Sequence, residues 1–323
     1  MDMKKKERAA NLLLLAVAII WGGGFVAGKM ALTGLNPAPV LLYRFSMATL
    51  LCGICFCRRI RSTPKDTAVK GCLIGALQMA AQAVQLVGLQ YTTPAKQSFL
   101  CTAYVALVPF LSWIVLRKCP QPKAFLAGFI ALAGIGLISL RGSFDIGFGD
   151  GMSLGFAALF GLQIVLVGRF VGNDADSIQL SFFQFLTASV IAGTACLMSG
   201  ESLIPIGWES LSGIMYLGIL NTFVAMAGQN VGQKYTRDTT ASLIISLESL
   251  FGFTFSVLYY HEQLEWRMLA GGVLCFAAIL VNTTQGKFSF TNHRKNEHKW
   301  YSIGIRGGEI CRRKYEKDEV ILC

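Results

Sequence analysis

The sequence predicts an all-α polytopic membrane protein whose ten transmembrane helices form two inverted five-helix repeats. Three observations predict it: an apolar composition, basic residues that alternate between successive loops, and a collinear self-similarity near an offset of 144 residues. Of 323 residues, 54% are hydrophobic and 15% charged, whereas charge falls on about a quarter of the residues in a soluble domain. The charges crowd into short intervals and the two ends. Between them run charge-free stretches that match the ~20 apolar residues a helix needs to cross a bilayer. A soluble enzyme, a nucleic-acid-binding protein and a disordered chain are thereby excluded. The net charge of +11 bears on orientation in the membrane rather than on an anionic partner.

Residues 1–10 carry Lys4, Lys5, Lys6 and Arg8 ahead of the first apolar run. A secretory signal starts in the same way. Here the run outlasts a signal core and ends in Gly22-Gly23-Gly24 and Lys29 without a cleavage site, so it reads as an uncleaved first helix. Spans are expected at 11–32, 38–57, 71–90, 97–116, 123–140, 151–168, 177–199, 209–230, 239–260 and 267–283. Turn formers separate them: Asn36-Pro37, Thr63-Pro64, Pro94, Pro120 and Pro122, Gly147 to Gly151, Asn173-Asp174, Gly200 and Pro205.

Cytoplasmic loops hold an excess of Lys and Arg. The two ends and every second loop hold 24 of them, among them Arg58, Arg59, Arg61, Lys65 and Lys70 in one loop. The alternate loops hold only Lys96, Arg141 and Arg267. Both termini are therefore expected in the cytoplasm, and the number of spans is even. The ten cysteines lie mostly in apolar runs and act as small hydrophobes. Cys52 and Cys55 have CxxC spacing but no histidine near them to complete a zinc site, so neither metal nor cofactor is expected.

Sliding the chain by 144 residues pairs Tyr91-Thr92 with Tyr235-Thr236, Gln85 with Gln229, Gly88 with Gly232, Ser98 with Ser242, Ser112 with Ser256 and Gly128 with Gly272. Near the start of each half an offset of 140 pairs Gly28 with Gly168, Phe45 with Phe185 and Ala48 with Ala188. The halves are 11–140 and 151–283. Five spans each place the second upside down relative to the first, a transporter arrangement with its site near the bilayer midplane.

The stretch Ile20-Trp21-Gly22-Gly23-Gly24-Phe25-Val26-Ala27-Gly28-Lys29, the later Arg44-Phe45, Pro109 and Leu247-Glu248 give the chain a resemblance to the EamA-type branch of the drug/metabolite transporter superfamily. It covers residues 10–283. The resemblance implies two five-helix halves around a central cavity, lined by the first, third and fourth helices of each, and movement of small metabolites, often export. One departure is Ser249, which follows the glutamate where members often carry proline. A helix break beside Glu248 therefore has no proline to cause it.

A charge at mid-bilayer costs about 2.5–3.5 kcal/mol on insertion scales, so such a residue faces a partner or a watery cavity. Glu248 lies near the middle of its span and is the only acid away from the ends of any predicted helix; Lys29 and Arg44 lie towards the outer ends of theirs. In a functional reading the two cations receive a carboxylate and Glu248 an amine or a proton, which suits a zwitterion. Against it stand snorkelling for Lys29 and a structural ion pair or carbonyl contact for Arg44. Gln78, Gln82 and Gln85 fall at i, i+4 and i+7 on one helix face, and Thr222 and Gln229 repeat two of those positions. Their amides hydrate a cavity without fixed charge; interhelical hydrogen bonding is the alternative. Ser242, Ser246 and Ser249 read as a close-packing stripe. A regular helix points Glu248 away from them, onto a face with Ile244, Phe251 and Phe255, and Tyr104 is its repeat partner. Trp21 sits mid-span, away from the interface tryptophan prefers, and is placed in the cavity wall, where it would stack on a substrate. Gly22 to Gly24 serve bending or close helix contact.

The residues thus predict a secondary transporter of small metabolites, with amino acids or related zwitterions favoured and export the expected direction. It would sit in the cytoplasmic membrane and work by alternating access, with protons as the candidate coupling ion. Multidrug or cationic efflux is the alternative cargo reading, although the first span lacks the acid a small multidrug-type transporter would carry. An enzyme is not expected: His261, His293 and His298 lie in a loop or the tail, and no HExxH or intramembrane carboxylate pair is present. A channel would show acidic rings or a filter motif. Residues 284–323, with nine basic residues, are expected to form a disordered cytoplasmic tail.

Overall fold

The computed structural model describes residues 3–117, 126–130, 133, 134, 137, 147–172, 175–204, 207–236, 238–261, 266–283, 301–306 and 309–314. Most of the expected span 123–140, and with it Lys118, Lys123 and Arg141, lies outside them. The chain divides into two units, Met1–Asn282 and Thr283–Cys323. Within the second, Tyr301–Arg306 and Glu309–Lys314 pair as an antiparallel hairpin. The sequence reading placed no element there, and the rest of that segment lies outside the described residues.

The described residues of the first unit form helices joined by short connections. Helix α1 (Met3–Ala31) is followed by α2 (Pro37–Arg61), which Pro37 starts at the position where a missing N–H costs nothing. Arg58, Arg59 and Arg61 in the last turn of α2 meet the negative end of its dipole. Helix α3 (Lys65–Gln90) follows Pro64 and has Asp66 in its first turn. The fourth span comes in two pieces, α4 (Pro94–Cys101) and α5 (Tyr104–Leu116). Helix α6 (Phe148–Gly172) leads to α7 (Ser177–Ser199), where Asp176 caps the N-terminus by accepting from the N–H groups of Ile178 and Gln179 at 2.9 and 3.1 Å.

The next span runs unbroken through α8 (Gly207–Met215), a π-helical stretch (Tyr216–Val224) and α9 (Ala225–Gln233). Two further pieces, α10 (Asp238–Ile245) and α11 (Glu248–Tyr260), precede α12 (Trp266–Thr283). Among the described residues, seven helical stretches are long and apolar enough to cross a membrane. The chain is a multi-pass helical membrane protein.

The helices α4/α5 and α10/α11 are interrupted in the same way. The N–H groups of Ala103, Val105 and Ala106 donate three residues back to Leu100, Thr102 and Ala103, and those of Leu247, Ser249 and Leu250 to Ile244, Ser246 and Leu247. Each bond has its counterpart 144 residues away, and each set makes one 3₁₀ turn inside a span, a form that often marks a hinge. The ends match too: Arg117 after α5 and His261 after α11 are the non-glycine residues with positive φ among those described, at 54° and 52°. No proline stands at the second break, so the residue types around Glu248 did not announce it.

Close approach is made by small residues. A Cβ on Gly75 of α3 would lie 2.5 Å from the carbonyl oxygen of Gln184 on α7, and one on Gly71 2.9 Å from that of Leu180. In α1, Gly22 meets the backbone of α11 at Phe251 and Gly252, while Gly23 and Gly24 make room for the side chains of Tyr216 and Asn221. The glycine run of the first span therefore serves contact. α2 and α3 pack on α7, α3 also on α6, and α1 on α11 and on α8. The two sequence halves are thus interleaved around one core.

Candidate functional site

A narrow cavity of ≈ 30 Å³ lies where α1, α2, α3, α4, α6, the π-helical stretch and α11 converge. A water needs at least about 10–15 Å³ of such space, so this holds one or two waters and no organic solute. Its wall includes Trp21, Arg44, Gln82, Gln85, Asn221 and Glu248.

Arg44 is 4% exposed. Its Nε donates to Thr222 Oγ1 at 2.6 Å, one terminal nitrogen to Gln82 Oε1 at 2.7 Å and the other to Asn221 Oδ1 at 2.6 Å. All three acceptors are neutral, and no carboxylate lies within ion-pair distance of Arg44 among the described residues. A buried charge is normally paired or placed where a partner will arrive. The π-helical turn explains how Asn221 and Thr222, adjacent in sequence, both reach one guanidinium: its wider i→i+5 turn turns successive side chains through a smaller angle than an α-helix does. Trp21 braces the same stretch by donating from Nε1 to the Asn221 carbonyl at 2.9 Å.

Glu248, also 4% exposed, opens α11 immediately after the 3₁₀ turn. Its Oε1 accepts from the hydroxyl of Tyr104 at 3.2 Å. Phe160 stands edge-on to both Tyr104 and Trp21, at centroid distances of 5.1 and 5.4 Å, and so joins the acid to the aromatic wall. Arg44 and Glu248 face one cavity and form no ion pair with each other.

The other sequence candidates fall in distinct places. Gln85 lines the cavity, and its backbone carbonyl accepts from Gln97 Nε2 at 2.8 Å. Gln78, one turn deeper in α3, accepts from Gln184 Nε2 at 3.5 Å and does not line the cavity. Gln229 lies two turns beyond Asn221 and donates to Gln163 Oε1 at 3.3 Å. Lys29 donates to the carbonyls of Leu89 and Thr92 at 2.9 and 3.2 Å, neutralising the carbonyl end of α3. Sequence reasoning missed Asn221, Gln97, Phe156 and Phe160. Asn221, a polar residue inside an apolar span, was the available signal. Phe251, which packs on Gly22, and Phe255, which lines an outer groove, follow Glu248 on the same unbroken α11, so the interruption at Ser246-Leu247 changes the phase of Glu248 only relative to Ser242 and Ile244.

Ion pairs between the two sequence halves lie beyond the cavity. Lys96 at the start of α4 pairs with Asp150 at the start of α6 at 2.7 Å, with side chains 15% and 3% exposed. Arg59 at the end of α2 pairs with Asp176 at the start of α7, its Nε donating at 2.8 Å. Burial alone would raise the Asp176 pKa. The Arg59 hydrogen bonds and the two backbone N–H groups outweigh it and hold the carboxyl below its ordinary value.

The model of the EamA-like transporter family matches residues 8–140 and 147–284. An uncharacterized transporter of Archaeoglobus fulgidus is 29% identical over 276 residues, covering 85% of this chain and 86% of its own. A second from the same organism is 24% identical over 284 residues, with 85% and 97% covered. The uncharacterized transporter YyaM of Bacillus subtilis is 24% identical, with 73% and 81% covered. A solved crystal structure aligns with a TM-score of 0.67 at 16% identity, covering 86% of this chain and 97% of that one. At that identity it speaks to the fold alone.

Proposed function

The chain belongs to the EamA-like transporter family, and from that membership we propose that it exports small zwitterionic metabolites, amino acids among them, across the cytoplasmic membrane by alternating access. The observation that carries the cargo is Arg44: a buried guanidinium held by three neutral oxygens, facing the same cavity as a buried carboxyl with which it does not pair. A solute carboxylate would take the open side of Arg44 and its ammonium would go to Glu248, which Tyr104 orients. Trp21, Gln82, Gln85, Asn221 and Thr222 would shape and hydrate the pocket; Gln78 and Gln229 would lie on the cytoplasmic approach to it. A cationic drug would meet the Arg44 charge, which disfavours multidrug efflux.

The cavity is smaller than any such solute, so the halves must part for one to enter. We read them as inverted five-helix repeats of a ten-span chain, with both ends cytoplasmic. The matching 3₁₀ turns and the matching Arg117 and His261 terminations support the repeat, and the alternating basic loops support the orientation. Protons are the proposed coupling ion, with Glu248 as their carrier.

The test is counterflow in vesicles carrying the purified protein. Labelled alanine should exchange saturably against a panel of neutral amino acids but not against their decarboxylated amines. Exchange of the amines alone would remove the zwitterion reading.

A further inference from the structure

Outside the cavity, six fully buried polar residues lie on α3, α6, α7 and α9. Gln78 on α3, Gln163 on α6, Ser181 and Gln184 on α7, and Gln229 and Asn230 on α9 are all 0% exposed. Asn230 Nδ2 donates to Ser181 Oγ at 2.8 Å and to Gln184 Oε1 at 3.0 Å, and Gln184 reaches on to Gln78. Four atoms of the set have no partner: Gln78 Nε2, Gln163 Nε2, Gln229 Oε1 and Asn230 Oδ1. Gln233 Oε1, one turn beyond Gln229, is a fifth. Unpaired amide atoms in a membrane bundle cost free energy that leucines of similar size would not. Several together on converging helices point to something that visits them.

Their order along the helices gives a direction. Gln78 is one turn from Gln82, an acceptor of Arg44, and Asn230 is about two turns from Thr222, another. In the other sense, Ser181 lies five residues, about 7.5 Å along α7, from Asp176 and its partner Arg59. Between Arg59 and the set, Gln179 Nε2 donates to the Arg59 carbonyl at 2.7 Å. The amides thus run from the cavity to the end of the bundle that the Arg59–Asp176 pair closes.

We propose that this amide ladder walls a second, transient solute site in the closed half of the permeation path. It takes the hydroxyl, amide and carboxylate oxygens of a polar solute, and the water that travels with it, on the way from the cytoplasmic end to Arg44. Uncharged donors and acceptors suit that task, because a path must bind well enough to admit and weakly enough to release. The proposal rests on the transporter reading above and extends it to residues that line no cavity in this state. When the bundle end opens, water and solute satisfy the orphaned atoms. When it closes, the amides pair with one another incompletely.

The test uses Ser181→Cys, a one-atom exchange that leaves the packing intact, in vesicles carrying the full chain. A charged, water-soluble methanethiosulfonate is applied, and site-resolved mass spectrometry follows modification. Position 181 should react at least ten times faster than native Cys52, which is equally buried but packed among apolar side chains. In the second arm, Asn230→Leu should lower labelled alanine counterflow at least fivefold while the melting temperature holds or rises. Reaction at 181 no faster than at Cys52, or counterflow within twofold of the unaltered chain, overturns the ladder. A failure of the cargo reading looks different: position 181 reacts, yet the unaltered chain moves no alanine.

Discussion

The hydroxyl of Tyr104 donates to Oε1 of Glu248 at 3.2 Å, and the two residues hold the same place in their respective halves. Each begins a helix immediately after a 3₁₀ turn, 144 residues apart. The bond therefore joins two joints of one build across the middle of the bundle, and any motion that bends one joint relative to the other must stretch it.

Tyr104→Phe is expected to lower counterflow about threefold to tenfold and to leave its pH dependence in place, since the phenol orients the acid without replacing it. Glu248→Gln should flatten the pH profile between pH 6 and 8. Rates measured in vesicles across that range separate the two roles. An unchanged, fully pH-dependent rate in Glu248→Gln rules out proton coupling through this residue.

Arg44→Gln should reduce flux at least tenfold while the melting temperature in detergent stays level or rises. Burying a cation without an anion costs stability, so its loss is not a structural injury. Arg44→Lys should rescue little of the flux, because an ammonium cannot address Thr222, Gln82 and Asn221 with the fixed fork of a guanidinium. Parallel loss of melting temperature and flux in Arg44→Gln would make the residue a structural brace.

Asp150→Asn removes the partner of a largely buried Lys96 and should destabilise the protein by about 3 kcal/mol. Thermal melts would read it. The double variant Lys96→Gln with Asp150→Asn should recover much of the loss, since it leaves no unpaired charge behind. A double variant as unstable as the single would place the defect in backbone packing rather than in the charge.

Asp176 has a pKa below its ordinary value, so its ionised form is preferred in the folded chain. The stabilisation it brings is complete above the usual carboxylate pKa, near 4, and fades as pH falls through the lowered folded value. Melting temperatures taken from pH 6 down to 3 should therefore fall more steeply in the unaltered chain than in Asp176→Asn. Identical slopes would show that Arg59 gains nothing from this partner.

Much of this architecture was legible in the residues. Pro37, Pro64, Pro94 and Gly200 stand at or beside helix ends, where their backbone preferences put them. Trp21, Gln82 and Glu248 were singled out because a polar or amphipathic group mid-span demands a reason, and all three line the cavity. The partners of Arg44 were harder to read. Asn221 and Thr222 are neighbours, and on an α-helix neighbours face about 100° apart; the π-helical turn narrows that angle, and both reach one guanidinium. Phase failed again at Ser246-Leu247, because the turn that interrupts the helix contains neither proline nor glycine. Lys29 was ambiguous for a different reason: its carbonyl acceptors belong to a helix that follows some 60 residues later, and a lone span carries no record of what crosses its end.

The widened turn at Tyr216–Val224 gives this span about one residue of slack. Dropping one codon there would let the backbone relax to ordinary α pitch, and the local strand of hydrogen bonds would improve. A π turn holds about one residue more than the α turn it would become, so Gln229, Asn230 and Gln233 would keep close to their present phase, whereas a residue lost from the α-helical parts of this span would swivel everything downstream by about 100°. Single-residue deletions are thus expected to be better tolerated within Tyr216–Val224 than in Gly207–Met215 or Ala225–Gln233, and a survey of tolerated variants would make that asymmetry visible.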